Sequence, residues 1–124
     1  MVSRRMPSAQ IFHLTEPAAW AAATCEGTYR LSTRGRTLAE VGFVHCAYRG
    51  QVLDVAERFY PDAGEVILLV VDPERLGSPI KAENLEGGGE RFPHIYGPLE
   101  LDAVIRVFTM RRAVDERFSL PSGV

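Results

Sequence analysis

Cysteine, histidine and net charge are all scarce in this chain. Its 124 residues hold two cysteines, Cys25 and Cys46, too few for a disulfide framework and without the C-x-x-C spacing of a metal site. They imply free thiols in a reducing cytoplasm. Fourteen basic residues against sixteen acidic ones leave a net charge of −2. That balance supplies no general attraction for a polyanion and excludes a nonspecific nucleic-acid binder. The longest strongly apolar run, residues 66–71, is far shorter than a bilayer span, and the first ten residues carry Arg4 and Arg5 without a signal-like apolar stretch. The expectation is a soluble, cytoplasmic protein with no membrane partner.

What is present fits one α+β domain over residues 10–112, with tails at 1–9 and 113–124. Residues 1–10 read as a frayed leader and 11–14 as a short strand. Thr15-Glu16-Pro17 has the chemistry of a helix start, with Thr15 able to accept from a free amide and Pro17 tolerated in the first turn. Gly27 then serves as the stop, after a helix ending near Cys25. A strand is expected at 28–31, a loop at 32–36, a turn at 38–41 and a strand at 43–46. From Gln51 the apolar positions Val52, Val55, Ala56 and Phe59 follow one helix face, and Tyr60-Pro61 ends it. Residues 65–71 form the clearest strand, branched and aliphatic enough for burial on both faces. Further strands are expected at 80–83 and 103–110, with an edge element from Arg111 onward. Gly87-Gly88-Gly89 reads as a flexible loop or a plain hairpin connection.

The three histidines carry the functional signal. His13 lies in Ile11-Phe12-His13-Leu14, His45 in Gly42-Phe43-Val44-His45-Cys46-Ala47, and His94 in Phe92-Pro93-His94-Ile95-Tyr96. An imidazole among such neighbours needs hydrogen-bond partners or costs about 1–3 kcal/mol. Either each is a satisfied core histidine or the three share a pocket, with the His94 segment as its rim beside the glycine loop. Histidine and Cys46 are zinc-ligand types, but no compact ligand spacing occurs, so no metal is expected. Adjacent residues on a strand point to opposite faces, so His45 cannot readily serve Cys46 as a base, and Cys46 reads as a core thiol. Glu83 and Glu90 offer carboxylates near the glycine loop. No P-loop or dinucleotide fingerprint exists.

These strings, with Val66 to Asp72 and the run Glu90-Arg91-Phe92-Pro93-His94-Ile95-Tyr96-Gly97-Pro98-Leu99, resemble the bacterial family of unknown function numbered 952. The resemblance spans residues 10–108. Ala47 departs from it, because a serine is common there. That family is similar to the ADP-ribosyltransferase superfamily, in the branch of the RNA 2'-phosphotransferases. The resemblance implies a small split β-sheet with two flanking helices and a cleft for NAD or an ADP-ribose-like group. His13 and His45 match histidines on successive core strands, and His94 joins them as a catalytic candidate. No glutamate clearly fills the superfamily's carboxylate position. Arg30 and Arg34 are expected to meet a pyrophosphate, and Tyr48, Phe92 and Tyr96 to stack on a ring of the nucleotide. The functions implied are a transferase directed at NAD or ADP-ribose, or a noncatalytic module that binds a nucleotide or a partner.

Overall fold

The computed structural model describes residues 9–85 and 88–124. Most of the expected leader and the first residue of the expected glycine loop, Gly87, lie outside the described residues. In chain order the elements are β1 (Ile11–Thr15), α1 (Pro17–Glu26), β2 (Leu31–Thr33), β3 (Arg36–Thr37), α2 (Leu38–Val41), β4 (Val44–His45), α3 (Val52–Phe59), β5 (Glu65–Val71), β6 (Ile80–Glu83), β7 (Phe92–Ile95) and β8 (Val104–Arg111). The class is α+β.

β5 organises the architecture. It has no polar interruption after Glu65, and it pairs antiparallel with β1 on one side and β8 on the other. Its alternating side chains divide the core in two. Val66, Leu68 and Val70 join Phe12, Leu14, Met110 and the α3 residues Val52, Val55 and Ala56. Ile67, Leu69 and Val71 join Ile11, Tyr29, Val44, Ile95, Leu99 and Ala23 of α1. Each fully buried branched side chain contributes about 1.5–3 kcal/mol, so this one strand supports both layers.

A second antiparallel sheet has the order β4-β7-β6, and β2 and β3 form a separate hairpin. The two larger sheets meet at one bridge, where Phe12 N–H donates to Ala47 O at 2.8 Å and Ala47 N–H donates to Phe12 O at 2.7 Å.

Several local expectations are corrected. Thr15 does not cap α1; it is the last residue of β1, opposite Ile67, and Glu16 takes the cap position without a side-chain cap bond. Extending the β ladder satisfies the Thr15 backbone better than a helix start does. Gly27 does end α1, at a φ of 81° that only glycine adopts without strain. The expected turn at 38–41 is the short helix α2, closed by a capping box in which Thr37 Oγ1 accepts from Glu40 N–H at 3.1 Å and Glu40 Oε1 accepts from Thr37 N–H at 2.9 Å. The expected loop at 32–36 instead carries the β2–β3 hairpin.

The C-terminal stretch forms no strand beyond β8 but folds back on the core. Arg112 donates to the carbonyls of Ala63 (2.7 Å), Tyr60 (2.7 Å) and Glu116 (2.8 Å), and its guanidinium lies 4.1 Å from the ring centroid of Phe118. Phe118 is buried with the α3 layer. Among the described residues no helix is long and apolar enough to cross a membrane. Arg112→Ala orphans several carbonyls at once and is expected to lower unfolding free energy by about 2–4 kcal/mol in urea titrations. Arg112→Lys is expected to recover little of it, because one ammonium cannot reproduce the fork. Full stability in either variant would show that Arg112 does not hold the C-terminal stretch down.

Candidate functional site

The split between the sheets creates the site. Antiparallel register from Phe12–Ala47 places Leu14 opposite His45, and a continued ladder would join those two backbones. It does not continue. The carbonyl of Leu14 instead accepts the Tyr60 hydroxyl at 3.1 Å, and the carbonyl of His45 accepts from His13 Nδ1 at 2.7 Å. Side chains thus cap both carbonyls at the point where the strands diverge, leaving a narrow wedge bordered by His13, His45, Thr33, Val55 and Tyr60.

His13 is 2% exposed and uses both ring nitrogens. A carbonyl can only accept, so Nδ1 carries the proton. Nε2 then accepts from the Tyr29 hydroxyl at 2.6 Å. Burial is the main cause that lowers the His13 pKa from 6.5 to about 4, outweighing the raising effect of the His45 backbone bond. Desolvation pushes the phenols of Tyr29 and Tyr60 and the thiol of Cys46 well upward. Cys46, 1% exposed, is therefore a core thiol and no nucleophile.

The second sheet brings two histidines onto one face. His45 lies directly opposite His94 across β4 and β7, and Lys81 lies opposite His94 across β6 and β7. Directly paired residues share a face, and so do residues two apart on a strand. Phe92 and Glu83 therefore stand on this face too, while Val44, Ile80 and Ile95 go to the core behind it. The His45 and His94 ring centroids are 5.4 Å apart. Phe43 stacks on His94 at 4.1 Å, and Phe59 and Phe92 flank His45 at 5.6 and 5.3 Å.

Glu83 is the carboxylate of this face. Its Oε1 accepts from His94 Nδ1 at 3.0 Å and from the Tyr96 hydroxyl at 2.5 Å. The Tyr96 bond first, then His94, holds the Glu83 carboxyl below the usual range, and the same carboxylate raises the Tyr96 phenol. With Nδ1 donating to Glu83, Nε2 is the ring atom of His94 left for a ligand. Tyr96 is kept in place by its neighbour: a Cβ on Gly97 would collide with the Ser78 side chain, and Tyr96 N–H donates to Pro79 O at 2.9 Å.

Of the residues expected to meet the nucleotide, Arg30, Arg34 and Tyr48 lie elsewhere. Arg34 pairs with Asp62 at 2.6 Å and Glu16 at 3.4 Å and covers the Tyr60 ring at 5.1 Å, which places it over the hairpin side of the wedge and not on the His94 face. Arg30 borders an apolar groove with Thr28, Leu38 and Pro98. Tyr48 lies in a depression beside Gln10 and Arg49. Phe92 and Tyr96 are at the site. Glu90 lines a hollow with Arg58, Gly89 and Phe92. Among the described residues no three His, Cys, Asp or Glu side chains gather as a metal centre. Sequence reasoning missed the pairing of Glu83 with His94, although strand periodicity over residues 81–83 and 92–94 could have put the two on one face once the strands were paired.

The fold is that of a small α+β domain with two three-stranded sheets. The chain matches, over residues 14–107, the family described as protein of unknown function DUF952, and it belongs to that family. It is similar to the crystal structure of CC0527 from Caulobacter crescentus, at 30% identity over 90% of this chain and 94% of that one, with a TM-score of 0.76. The solution structure of CC0527 aligns at 29% identity over 88% of this chain and 90% of that one, with a TM-score of 0.73. A double mutant of CC0527 aligns at 29% identity over 90% of this chain and 94% of that one, with a TM-score of 0.75. No curated protein matches.

Two pH dependences follow. His13 titrates at about 4 in the folded chain and at 6.5 when unperturbed, so across that window the unfolded chain binds a proton that the folded chain refuses. The associated stability is complete above the upper value and declines toward the lower one, by on the order of 3 kcal/mol in all. Unfolding titrations across this range should show a steeper decline for the native chain than for His13→Asn; parallel curves would show that His13 titrates as in a free peptide. Glu83 has a depressed pKa, so its contribution is present at neutral pH and lost as pH falls through the acidic range. The stability gap between the native chain and Glu83→Gln should accordingly narrow as pH falls below the ordinary carboxylate range.

Proposed function

We propose that this chain is a transferase acting on NAD or an ADP-ribose-like nucleotide, with the His45–His94–Glu83 face as its reacting surface. One observation carries the reading: strand pairing brings a carboxylate, Glu83, onto the face that holds both histidines. The ADP-ribosyltransferase superfamily at large uses such a carboxylate, although the branch that the family resembles lacks it, and the motifs alone did not reveal Glu83. Cleavage of the glycosidic bond sends the bonding pair out with nicotinamide and leaves the anomeric carbon cation-like. The Glu83 carboxylate stabilises that charge. When neutral, His94 takes the proton from an acceptor hydroxyl at Nε2 as the acceptor oxygen bonds to the anomeric carbon, and Glu83 steadies the imidazolium that results. Phe92 and Tyr96 give the nucleotide an aromatic wall.

A second reading, a noncatalytic nucleotide-binding module, is favoured by one feature: the His94 side chain is only 4% exposed. Nicotinamide release from NAD, followed beside thermal shift, separates the two. The transferase reading expects release by the native chain, reduced about 100-fold in Glu83→Gln and His94→Ala. Stabilisation by NAD or ADP-ribose without release selects the binding module. Neither release nor stabilisation with NAD, ADP-ribose or 2'-phosphorylated RNA overturns both.

A further inference from the structure

We infer that Tyr29 and His13 are positioning residues, a pair that fixes where the His45 ring stands across from His94; the functional meaning of this rests on the site proposed above, but its geometry does not.

β1 and the residue two past β4 share two backbone hydrogen bonds, both at Phe12–Ala47. Two residues further along, the ladder has stopped and the carbonyl of His45 takes its bond from the His13 ring at 2.7 Å. On its other edge β4 is held by β7, where Cys46 N–H donates to Pro93 O at 3.0 Å. The His13 bond is therefore the last tie between β1 and the residue whose ring faces His94. Capping by a side chain places this tie under the control of a tautomer. If the ring proton sat on Nε2, the Nδ1 lone pair would face the carbonyl lone pairs and the tie would become a repulsion.

The His45 carbonyl, which can only accept, makes that choice, and Tyr29 reinforces it. The Tyr29 hydroxyl stands 2.6 Å from Nε2 and its ring meets the imidazole edge-on at 5.1 Å. Tyr29 is 2% exposed, so its phenol proton has Nε2 as the partner the structure provides. Tyr29 is itself anchored by its bridge to Leu99 and by contact with Trp20 at 6.3 Å. The chain of constraint thus runs from Leu99 and α1 through Tyr29 and His13 to the backbone of His45. An orienting partner behind a functional imidazole typically changes ligand affinity by tenfold or more.

The test uses imidazole NMR on the full chain, with nitrogen-edited spectra reporting tautomer and the His45 and His94 resonances reporting position, and ADP-ribose binding as a second readout. In the native chain His13 should show the Nδ1–H form. Tyr29→Phe, which removes one oxygen, should mix the tautomers, shift the His45 and His94 titrations and weaken ADP-ribose binding on the order of tenfold. His13→Asn places its amide N–H near the former Nδ1 and should restore the native His45 and His94 titrations, whereas His13→Leu should not. Unchanged His45 and His94 titrations in Tyr29→Phe overturn the inference, even if stability falls, because a merely structural pair would lower stability and leave those titrations alone. Equal damage from His13→Asn and His13→Leu also overturns it. A native chain that binds no ADP-ribose removes the functional reading, while the NMR outcome still decides the positioning role. Should His13→Leu fail to fold, Tyr29→Phe and His13→Asn suffice.

Discussion

A backbone ladder that stops after one bridge is the constraint on which this molecule depends. Beyond Phe12–Ala47 the strands β1 and β4 separate, and two carbonyls that a continued sheet would have satisfied are left facing the gap. Unpaired and buried, each would cost about 1–3 kcal/mol. Tyr60 caps one and His13 the other. The split is stable because side chains from α3's end and from β1 itself replace the missing backbone bonds. The polar groups brought in for that purpose also make the wedge chemically distinct from the dry layers on either side.

The same physics divides labour among the three histidines. His13 is enclosed, uses both nitrogens internally and stays neutral over the physiological range. His45 and His94 instead project from one face of the β4-β7-β6 sheet, amid Phe43, Phe59 and Phe92. There Glu83 orients His94 and is in turn held by Tyr96. A carboxylate that accepts two hydrogen bonds at one oxygen stays ionised and keeps its imidazole aimed. The arginines expected to meet a pyrophosphate stand elsewhere: Arg34 ties the hairpin to Asp62 and Glu16, and Arg30 borders an apolar groove.

Much of the fold was legible along the chain. The period of α3, the apolar run of β5 and the glycine that ends α1 are local signals, because helix faces, doubly buried strands and left-handed turns each demand particular side chains at fixed spacing. Local reading failed where a long-range partner competed for a residue. Thr15 has the chemistry of a helix cap, yet β5 claims it as a strand residue through Ile67. The polar hairpin of β2 and β3 carries no strong periodicity, and the residues after β8, expected as an edge element, instead dock through Arg112 and Phe118.

The site divides along the same line. The sequence by itself determined that three imidazoles would sit among apolar strand residues, that the thiols would be few and unpaired, and that the Phe-Pro-His-Ile-Tyr-Gly-Pro-Leu segment would mark the family. Only the tertiary structure decided which histidine became a buried cap and which two came face to face, and that Glu83 rather than Glu90 stands beside His94. The reason is that strand register and sheet order are set by which apolar faces bury together over the whole chain. A side chain's partner across a sheet is thus a property of the packing, invisible to the spacing of residues along any single strand.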